Sequence, residues 1–373
     1  MAHNVEKEID GVIRTVTELD HTAQEIDDAV EVTKVHSNPQ LLDNWYWAGP
    51  DSIIDQRGGW IVPYGTPFYS DVALSAQVTT VQAPWFAATY INETYGSIYT
   101  DNQTFYVSRA DMVRGYTGGV YSIDRWIISG GGTVVLTDKG INIKRRTEGV
   151  SDGAFYIRCE MARFLEKTCT LSALANGELY TCTGKIPDVV SNSTKLLFYS
   201  DITMPILVRV YETASGLLEF GIVNQGDGDC ITKAAKLELG DHQTLARQDE
   251  NGNWVLIDPP PNKQQALEKC QSVQTVYEGY SFLGFGIIEQ NHMCQFAVPT
   301  PSTMRLGTVS VSASNGIKFF DGKNSYDGII LDSRATCNAG SAKTVASFPD
   351  APVFTGGYVW LDNGQKLILD ANF

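Results

Sequence analysis

The sequence predicts a mainly β protein with a helical segment in front and a smaller β domain behind. Three observations support this. Hydrophobic residues make up 43% of the 373 residues and charged residues only 19%, with 34 Gly and 17 Tyr, a balance that favours sheets and turns over helical bundles. Short β-prone runs alternate with Gly-rich turn signals. The first 36 residues instead carry a heptad pattern, so the chain divides into two or three folding units.

Residues 1–36 are predicted to form a coiled-coil helix. Apolar residues recur there in alternating steps of four and three, as in a coiled-coil seam. The seam consists of Val5, Ile9, Val12, Val16, Leu19, Ala23, Ile26 and Val30. β-branched residues at both core positions favour three strands over two, so the segment predicts a homotrimer. The alternative is one amphipathic helix packed on its own domain. Asn38-Pro39 should end the helix.

Residues 37–258 are predicted to form a jelly-roll β-sandwich with an insert at about residues 60–120. Turn signals separate the β-prone runs, and strands of this length and spacing are typical of sandwiches. The predicted strands include Ile123–Ile128, Thr133–Thr137, Phe155–Arg158, Lys195–Tyr199, Ile206–Tyr211, Leu217–Val223 and Ala235–Leu239. Asn251-Gly252 predicts a hairpin, since this dipeptide readily adopts positive φ angles.

Residues 259–373 are predicted to be a linker, a short helix and a small antiparallel β tip domain. Pro259-Pro260-Pro261 favours an extended spacer, and Lys263–Ser272 has helical composition. The predicted tip strands are Thr308–Ser312, Gly316–Phe320, Gly328–Leu331, Gly357–Leu361 and Lys366–Ala371. Apolar strands such as 317–320 are candidates for contact with neighbouring chains, which would cover exposed sheet edges.

Several segments resemble tail-fibre proteins from phages and prophages of gut Firmicutes. They are Leu41–Trp47, Asp55–Gly59, Tyr121–Trp126, Ala235–Gly240, Pro259–Pro261 and Leu267–Gln271. These segments follow in the family's order and span residues 41–271. The resemblance implies a carbohydrate-binding-module-like jelly roll followed by a C-terminal tip. Residues 60–120 form a longer insert than the commonest version of the family has.

Charge and composition exclude some functions. A formal net charge of −15 disfavours nucleic-acid binding, which requires a basic face. The sequence shows neither a secretion signal nor an apolar run of the ~20 residues that cross a bilayer, so we expect synthesis in the host cytoplasm and no membrane insertion. Seven scattered cysteines predict reduced, mostly buried thiols.

No catalytic motif is found in the sequence. The nucleophile elbow, the phosphate-binding loop and the zinc-protease motif are missing, and the five histidines are dispersed. We therefore expect a protein without enzymatic activity, cofactor or catalytic metal. Residues 224–229, Asn-Gln-Gly-Asp-Gly-Asp, place oxygen ligands at alternating positions but lack the later bidentate Glu of a calcium loop. A Gly-rich turn is the favoured interpretation, with a structural calcium ion as the alternative.

Sugar binding is the chemistry that the residues favour. Exposed aromatic rings stack on pyranose C–H groups, and neighbouring polar groups bind the hydroxyls. The insert and a loop of the tip offer both kinds of group. The candidate ligand-binding residues are Trp60, Tyr64, Tyr69, Trp85, Asp321, Asn324, Tyr326 and Asp327. Most such aromatics are expected to be core or interface residues, since a sandwich of this size must bury many of them.

Together with the resemblance, these features predict a phage tail-fibre receptor-binding protein, an adhesin that recognises surface glycans of its bacterial host. It would be a homotrimer located in the virion and attached to other phage tail or baseplate proteins. Two alternatives remain open at this stage. One is a tail depolymerase that cleaves polysaccharide, and the other is a structural fibre spacer without a receptor site.

Overall fold

A computed structural model describes residues 2–9, 12–19, 37–80, 85–100, 102–118, 120–145, 153–305, 308–313, 316–331, 333–338, 340–363 and 365–371. Antiparallel sheets account for most of this structure, so the prediction of a mainly β protein is confirmed. None of the helices within these ranges is long and apolar enough to span a membrane.

The first described residues form a two-stranded antiparallel sheet. Its strands are β1 (Ala2–Ile9) and β2 (Val12–Leu19). The predicted coiled coil is therefore not confirmed. The seam residues found in extended backbone are Val5, Ile9, Val12, Val16 and Leu19, while Ala23, Ile26 and Val30 lie outside the described residues. β-branched residues that suit a three-stranded coil also favour strands, and Asp10-Gly11, which separates the two strands in sequence, favours tight hairpins.

Twenty strands follow in the described part of residues 60–256. The first seven are β3 (Trp60–Val62), β4 (Pro67–Tyr69), β5 (Gln77–Thr80), β6 (Phe86–Tyr90), β7 (Tyr95–Thr100), β8 (Gln103–Ser108) and β9 (Val113–Thr117). The next eleven are β10 (Val120–Tyr121), β11 (Trp126–Ile128), β12 (Gly132–Thr137), β13 (Gly140–Arg145), β14 (Gly153–Glu160), β15 (Thr168–Ala175), β16 (Glu178–Lys185), β17 (Lys195–Tyr199), β18 (Ile206–Glu212), β19 (Leu217–Asn224) and β20 (Ile231–Leu239). The last two, β21 (Ala246–Gln248) and β22 (Trp254–Leu256), pair with each other.

Two large sheets contain most of these strands. One has the order β10-β11-β14-β19-β18-β17. The other runs β16-β15-β20-β13-β12-β9 and continues as β3-β6-β7-β8-β4-β5. The first part of this second sheet shares one buried core with the first sheet. Its continuation, which lies within the predicted insert, has a small core of its own.

Aromatic rings fill the centre of the shared core. Trp47, Trp126 and Phe155 are fully buried, with Trp126 stacked on Phe155 at 4.7 Å between ring centroids and edge-on to Trp47 at 4.9 Å. Both indole N–H groups donate to the carbonyl oxygen of Asn44, which satisfies the polar edge of each ring. Trp45 belongs to the same core, and Trp47 makes the ring contact with Trp126.

Asp124 and Arg125 are neighbours in the sequence, but their side chains bond to different residues. Arg125 donates to Asp43 at 3.2 Å, whereas Asp124 accepts the backbone N–H of Gln56 at 2.9 Å and a bond from the Gln56 side-chain amide. The two residues occupy a tight turn in which Arg125 has φ +73°, and their side chains find different partners.

A buried lysine lies where the chain enters and leaves the sandwich. Lys236 is fully buried in β20, and its ammonium donates to Asp258 at 2.7 Å, to the Thr244 hydroxyl at 3.0 Å and to the Ser37 hydroxyl. Glu238, also fully buried, lies 3.7 Å from the same ammonium. This network ties the first residues of the sandwich to the last residue before the proline linker.

The linker leads into a short helix and, among the described residues, ten strands. Helix α1 (Lys263–Gln271) agrees with the predicted one, and the Asn262 side chain caps it by accepting the Gln265 N–H. The strands are β23 (Gln274–Glu278), β24 (Phe282–Ile287), β25 (Met293–Pro299), β26 (Thr308–Ala313), β27 (Ile317–Phe320), β28 (Ser325–Ile330), β29 (Arg334–Asn338), β30 (Ser341–Ser347), β31 (Gly356–Leu361) and β32 (Lys366–Asp370). Their main order is β23-β32-β26-β29-β30-β28-β27-β31-β24, and they enclose a core separate from that of the sandwich.

Candidate functional site

The strands β3-β6-β7-β8-β4-β5, which we call the insert sheet, have one buried face and one open face. Its buried face consists of Val62, Phe68, Ile98, Val107 and Met112, with partly buried aromatics packed around them. Because successive side chains of a strand point to opposite faces, the residues that alternate with these lie on the other side. The sequence therefore places a second set of tyrosine, serine and threonine side chains on the open face.

We call this open face the tyrosine face. It consists of Tyr69, Tyr95, Tyr99 and Tyr106 with Thr89, Ser97 and Thr104. One cross-strand row runs from Thr89 through Ser97 and Tyr106 to Tyr69. Tyr95 and Tyr106 meet edge-on at 5.5 Å between ring centroids, and Tyr99 remains 66% exposed. The surface combines flat rings with hydroxyl groups, which is the combination that binds sugars.

Of the four candidate ligand-binding residues in the insert, Tyr69 lies on the tyrosine face. Trp60 instead packs at the small core, stacked on Tyr90 at 5.6 Å between centroids, with the Arg109 guanidinium 3.9 Å and that of Arg114 5.2 Å from its ring. Cation–π contacts of this kind stabilise the fold by holding the ring against the guanidinium groups. The structure thus gives Trp60 neighbours within its own chain, and a role in ligand contact stays a prediction.

The two other candidates of the insert lie elsewhere. Tyr64 is 65% exposed in the turn that follows β3. Trp85 is partly buried, has φ +60°, and lies against the sandwich, where the ammonium of Lys144 is 5.3 Å from its ring centroid. Lys144 is also paired with Asp229 at 2.8 Å. Trp85 therefore joins the insert to the sandwich.

The predicted tip site is a self-bonded turn. The Asp321 carboxylate accepts the N–H groups of Asn324 at 2.6 Å and Lys323 at 2.8 Å and the Tyr326 hydroxyl at 2.9 Å, and these bonds hold the pKa of Asp321 below its usual value. Asp327 pairs with Lys318 at 2.9 Å. These groups order the connection between β27 and β28, so their ligand-binding role also stays a prediction.

The loop 224–229, considered for calcium, pairs its carboxylates with neighbouring cations. Asp229 lies 2.8 Å from Lys144, and Asp227 lies 3.5 Å from Arg145. Within the described ranges, no three His, Cys, Asp or Glu side chains are grouped so that they could hold a metal ion. These ion pairs support the turn interpretation of the loop.

The seven cysteines are free thiols, six of them buried and Cys337 partly buried. Burial raises the pKa of Cys182 and that of Cys230 to about 12. Because the thiolate is the nucleophilic form, these two thiols are poor nucleophiles at neutral pH.

The segment Asp55–Gly59 forms a three-way junction, a role that its sequence did not predict. Asp55 accepts bonds from Arg114 and Tyr116 of β9, the strand that joins the sandwich part of the second sheet to β3 of the insert. Gln56 bonds to Asp124 of the sandwich and, through its side chain, to the Gln274 carbonyl of the tip at 3.0 Å. Asp55 thus bonds to one part of the chain, and Gln56 bonds to two others.

Arg57 extends the three-way junction into the tip. Its guanidinium donates to the Gln274 side chain at 3.0 Å and lies 3.4 Å from Asp370, while Lys366 donates to its carbonyl oxygen. Gln274 in turn donates to Asp370 at 2.8 Å. The described sandwich, insert and tip therefore meet at one polar cluster, most of which is withdrawn from solvent.

The tip carries a second aromatic surface that the sequence did not single out. This tip aromatic face consists of Tyr280, Phe282, Phe285, Phe320, Tyr358 and Trp360. Tyr358 and Trp360 are two positions apart in the sequence, a spacing that predicts that both rings lie on the same side of β31. Which strands lie beside β31 depends on the tertiary pairing.

No match to this chain is found among protein-family models, curated proteins or solved structures.

Proposed function

We propose that this chain is the receptor-binding tail-fibre protein of a phage or phage-derived particle, a non-enzymatic adhesin for surface glycans of its bacterial host. The observation that carries the proposal is the tyrosine face, an open sheet surface on which rings and hydroxyl groups alternate. The resemblance of residues 41–271 to such fibres agrees with it, as does a β-rich architecture with an extended sheet.

In this proposal each tyrosine ring supplies a flat apolar surface for the C–H groups of a sugar, while hydroxyls of Ser97, Thr89 and Thr104 bind the ring substituents. Binding of this kind needs no cofactor. The formal net charge of −15 opposes the approach of polyanionic polymers, so neutral glycans are the expected ligands.

The rest of the chain is assigned accordingly. The two-sheet sandwich is proposed to be a carbohydrate-binding-module-like jelly roll that displays the insert, and the C-terminal unit is the tip of the fibre. A homotrimer would present three weak sites together and multiply their apparent affinity. Attachment to other tail or baseplate proteins places the chain in the virion.

Glycan arrays and retention on isolated cell walls of gut Firmicutes test the proposal. Tyr99→Ala and Tyr69→Ala each remove one ring, and loss of one stacked ring, ~1.4 kcal/mol, should weaken binding about tenfold. Tyr199→Ala is the matched control, because Tyr199 is 47% exposed on β17, outside the tyrosine face.

Retention of full binding by both tyrosine-face variants would overturn this site. Sustained release of reducing ends from the retained glycan would favour the depolymerase alternative. Failure of the unaltered protein to bind any wall or glycan would favour the structural spacer.

A further inference from the structure

The tip aromatic face lies on the outer side of β24, β31 and β27. Cross-strand register places Phe282 beside Trp360 and Phe285 beside Tyr358, while Phe320 stacks on Tyr358 at 5.7 Å between centroids. The rings of Phe282 and Phe285 meet at 5.0 Å. These contacts make one continuous aromatic surface.

This surface is open to solvent in the described chain. Phe285 is 67% exposed and Phe282 46% exposed, although phenylalanine is normally buried. Tyr280, Phe282, Tyr358 and Trp360 line a shallow cleft of about 320 Å³. Ile287, 61% exposed, continues the apolar strip along β24.

We infer that the tip aromatic face is an interface for a second copy of this chain. Its most exposed strand differs in chemistry from the tyrosine face: along β24, Phe282, Phe285 and Ile287 offer no hydrogen-bonding group to a sugar hydroxyl, whereas every ring of the tyrosine face carries a hydroxyl. A buried sugar hydroxyl without a partner costs binding energy, whereas the apolar face of another protein does not incur that cost.

The area of the face fits this occupant. With ~200 Å² for each aromatic side chain, the exposed fractions of Tyr280, Phe282, Phe285 and Tyr358 correspond to about 450 Å². That is more than half of the ~800 Å² that each partner of a stable protein–protein interface buries. It also lies at the size expected of the largest, usually functional, apolar patch on a monomer.

The charge around the face fits as well. A formal net charge of −15 makes two copies repel each other, so contact is favoured where part of the negative charge is neutralised locally. Lys318, beside Trp360 in register, lies 2.9 Å from Asp327 and 3.4 Å from Asp362, so one of these two negative charges is neutralised next to the face. The inference is independent of glycan binding.

Thiol labelling of the full-length chain tests this inference even if another segment also joins the copies, because it measures the exposure of the face itself. Phe285→Cys and Tyr99→Cys place new thiols at two sites of nearly equal exposure within one chain, 67% and 66%. Reaction with a maleimide should be at least tenfold slower at position 285 than at position 99, after subtraction of the native thiols. Adding Tyr358→Asp to Phe285→Cys should restore the rate, because a buried carboxylate opposes association.

Equal labelling rates at the two positions would overturn the inference. So would a Phe285→Asp chain with unchanged mass in sedimentation that had lost binding to host cells, since that result would make the face a receptor surface. Unchanged circular dichroism of each variant establishes that an altered rate or mass does not reflect unfolding.

Discussion

Replacing Asp124 by asparagine removes a carboxyl group that the fold buries completely beside the three-way junction. Burial is the largest cause that raises its pKa, from 3.8 to about 7, against the opposing effect of the bonds from Gln56. The folded chain therefore holds a proton on Asp124 over a pH range in which the unfolded chain has released it.

The sign of the stability effect follows from proton binding. Between pH 3.8 and about pH 7 the folded state binds more protons at Asp124 than the unfolded state, so the free energy of unfolding falls as pH rises. A shift of this size corresponds to roughly 4 kcal/mol, of which roughly 3 kcal/mol falls between pH 5 and pH 8. Above pH 7 the contribution levels off.

Urea unfolding followed by tryptophan fluorescence measures this change in unfolding free energy, because Trp47 and Trp126 lie in the sandwich core. The difference in unfolding free energy, native chain minus Asp124→Asn, should fall by roughly 3 kcal/mol from pH 5 to pH 8. Taking the difference at each pH cancels the titration of other groups. A difference that stays constant across this range would refute the assignment of a raised pKa to Asp124.

Three further substitutions probe the packing that positions the site. Lys236→Met leaves the buried Glu238 carboxylate without its cation and should lower the free energy of unfolding in urea by about 3–5 kcal/mol. The double variant that also carries Glu238→Gln should recover part of this loss. An unchanged urea midpoint for Lys236→Met would contradict the network. Gly59→Ala places a Cβ 2.3 Å from the Tyr116 ring and should lower stability by about 1–3 kcal/mol, measured by thermal unfolding, whereas Gly130→Ala, with open space at its Cβ, is the control. Arg57→Met removes side-chain bonds to the tip and should uncouple the tip from the sandwich. In calorimetry the two unfolding transitions of this variant should then lie further apart in temperature than those of the native chain.

The strand content of this protein is largely readable from its sequence. The predicted strand Ile206–Tyr211 agrees with β18 of the structure, because a short run rich in β-branched residues between turn residues has few other ways to bury its side chains. Helix α1 is readable for the same local reason, since Asn262 caps a run of good helix formers. The N-terminal segment shows the limit: its aliphatic residues suit both a coiled-coil seam and strands, and spacing alone does not choose between them.

The two aromatic surfaces could not be found from sequence alone. Tyr69 and Tyr106 are 37 positions apart, and they become neighbours because β4 pairs with β8. Likewise Phe285 meets Tyr358 because β24 pairs with β31. Alternation along one strand tells which side chains share its face, but it does not tell which strand lies alongside.

Local propensity and period are enough to specify a mainly β chain, the short capped helix after the proline linker, and an insert rich in aromatic and hydroxyl side chains. Tertiary structure alone decided that Trp60 serves packing, that Asp55–Gly59 joins three parts of the chain, and that phenylalanines of the tip are exposed together. Those outcomes depend on non-local strand pairing, whose partners are set by burial over the whole chain.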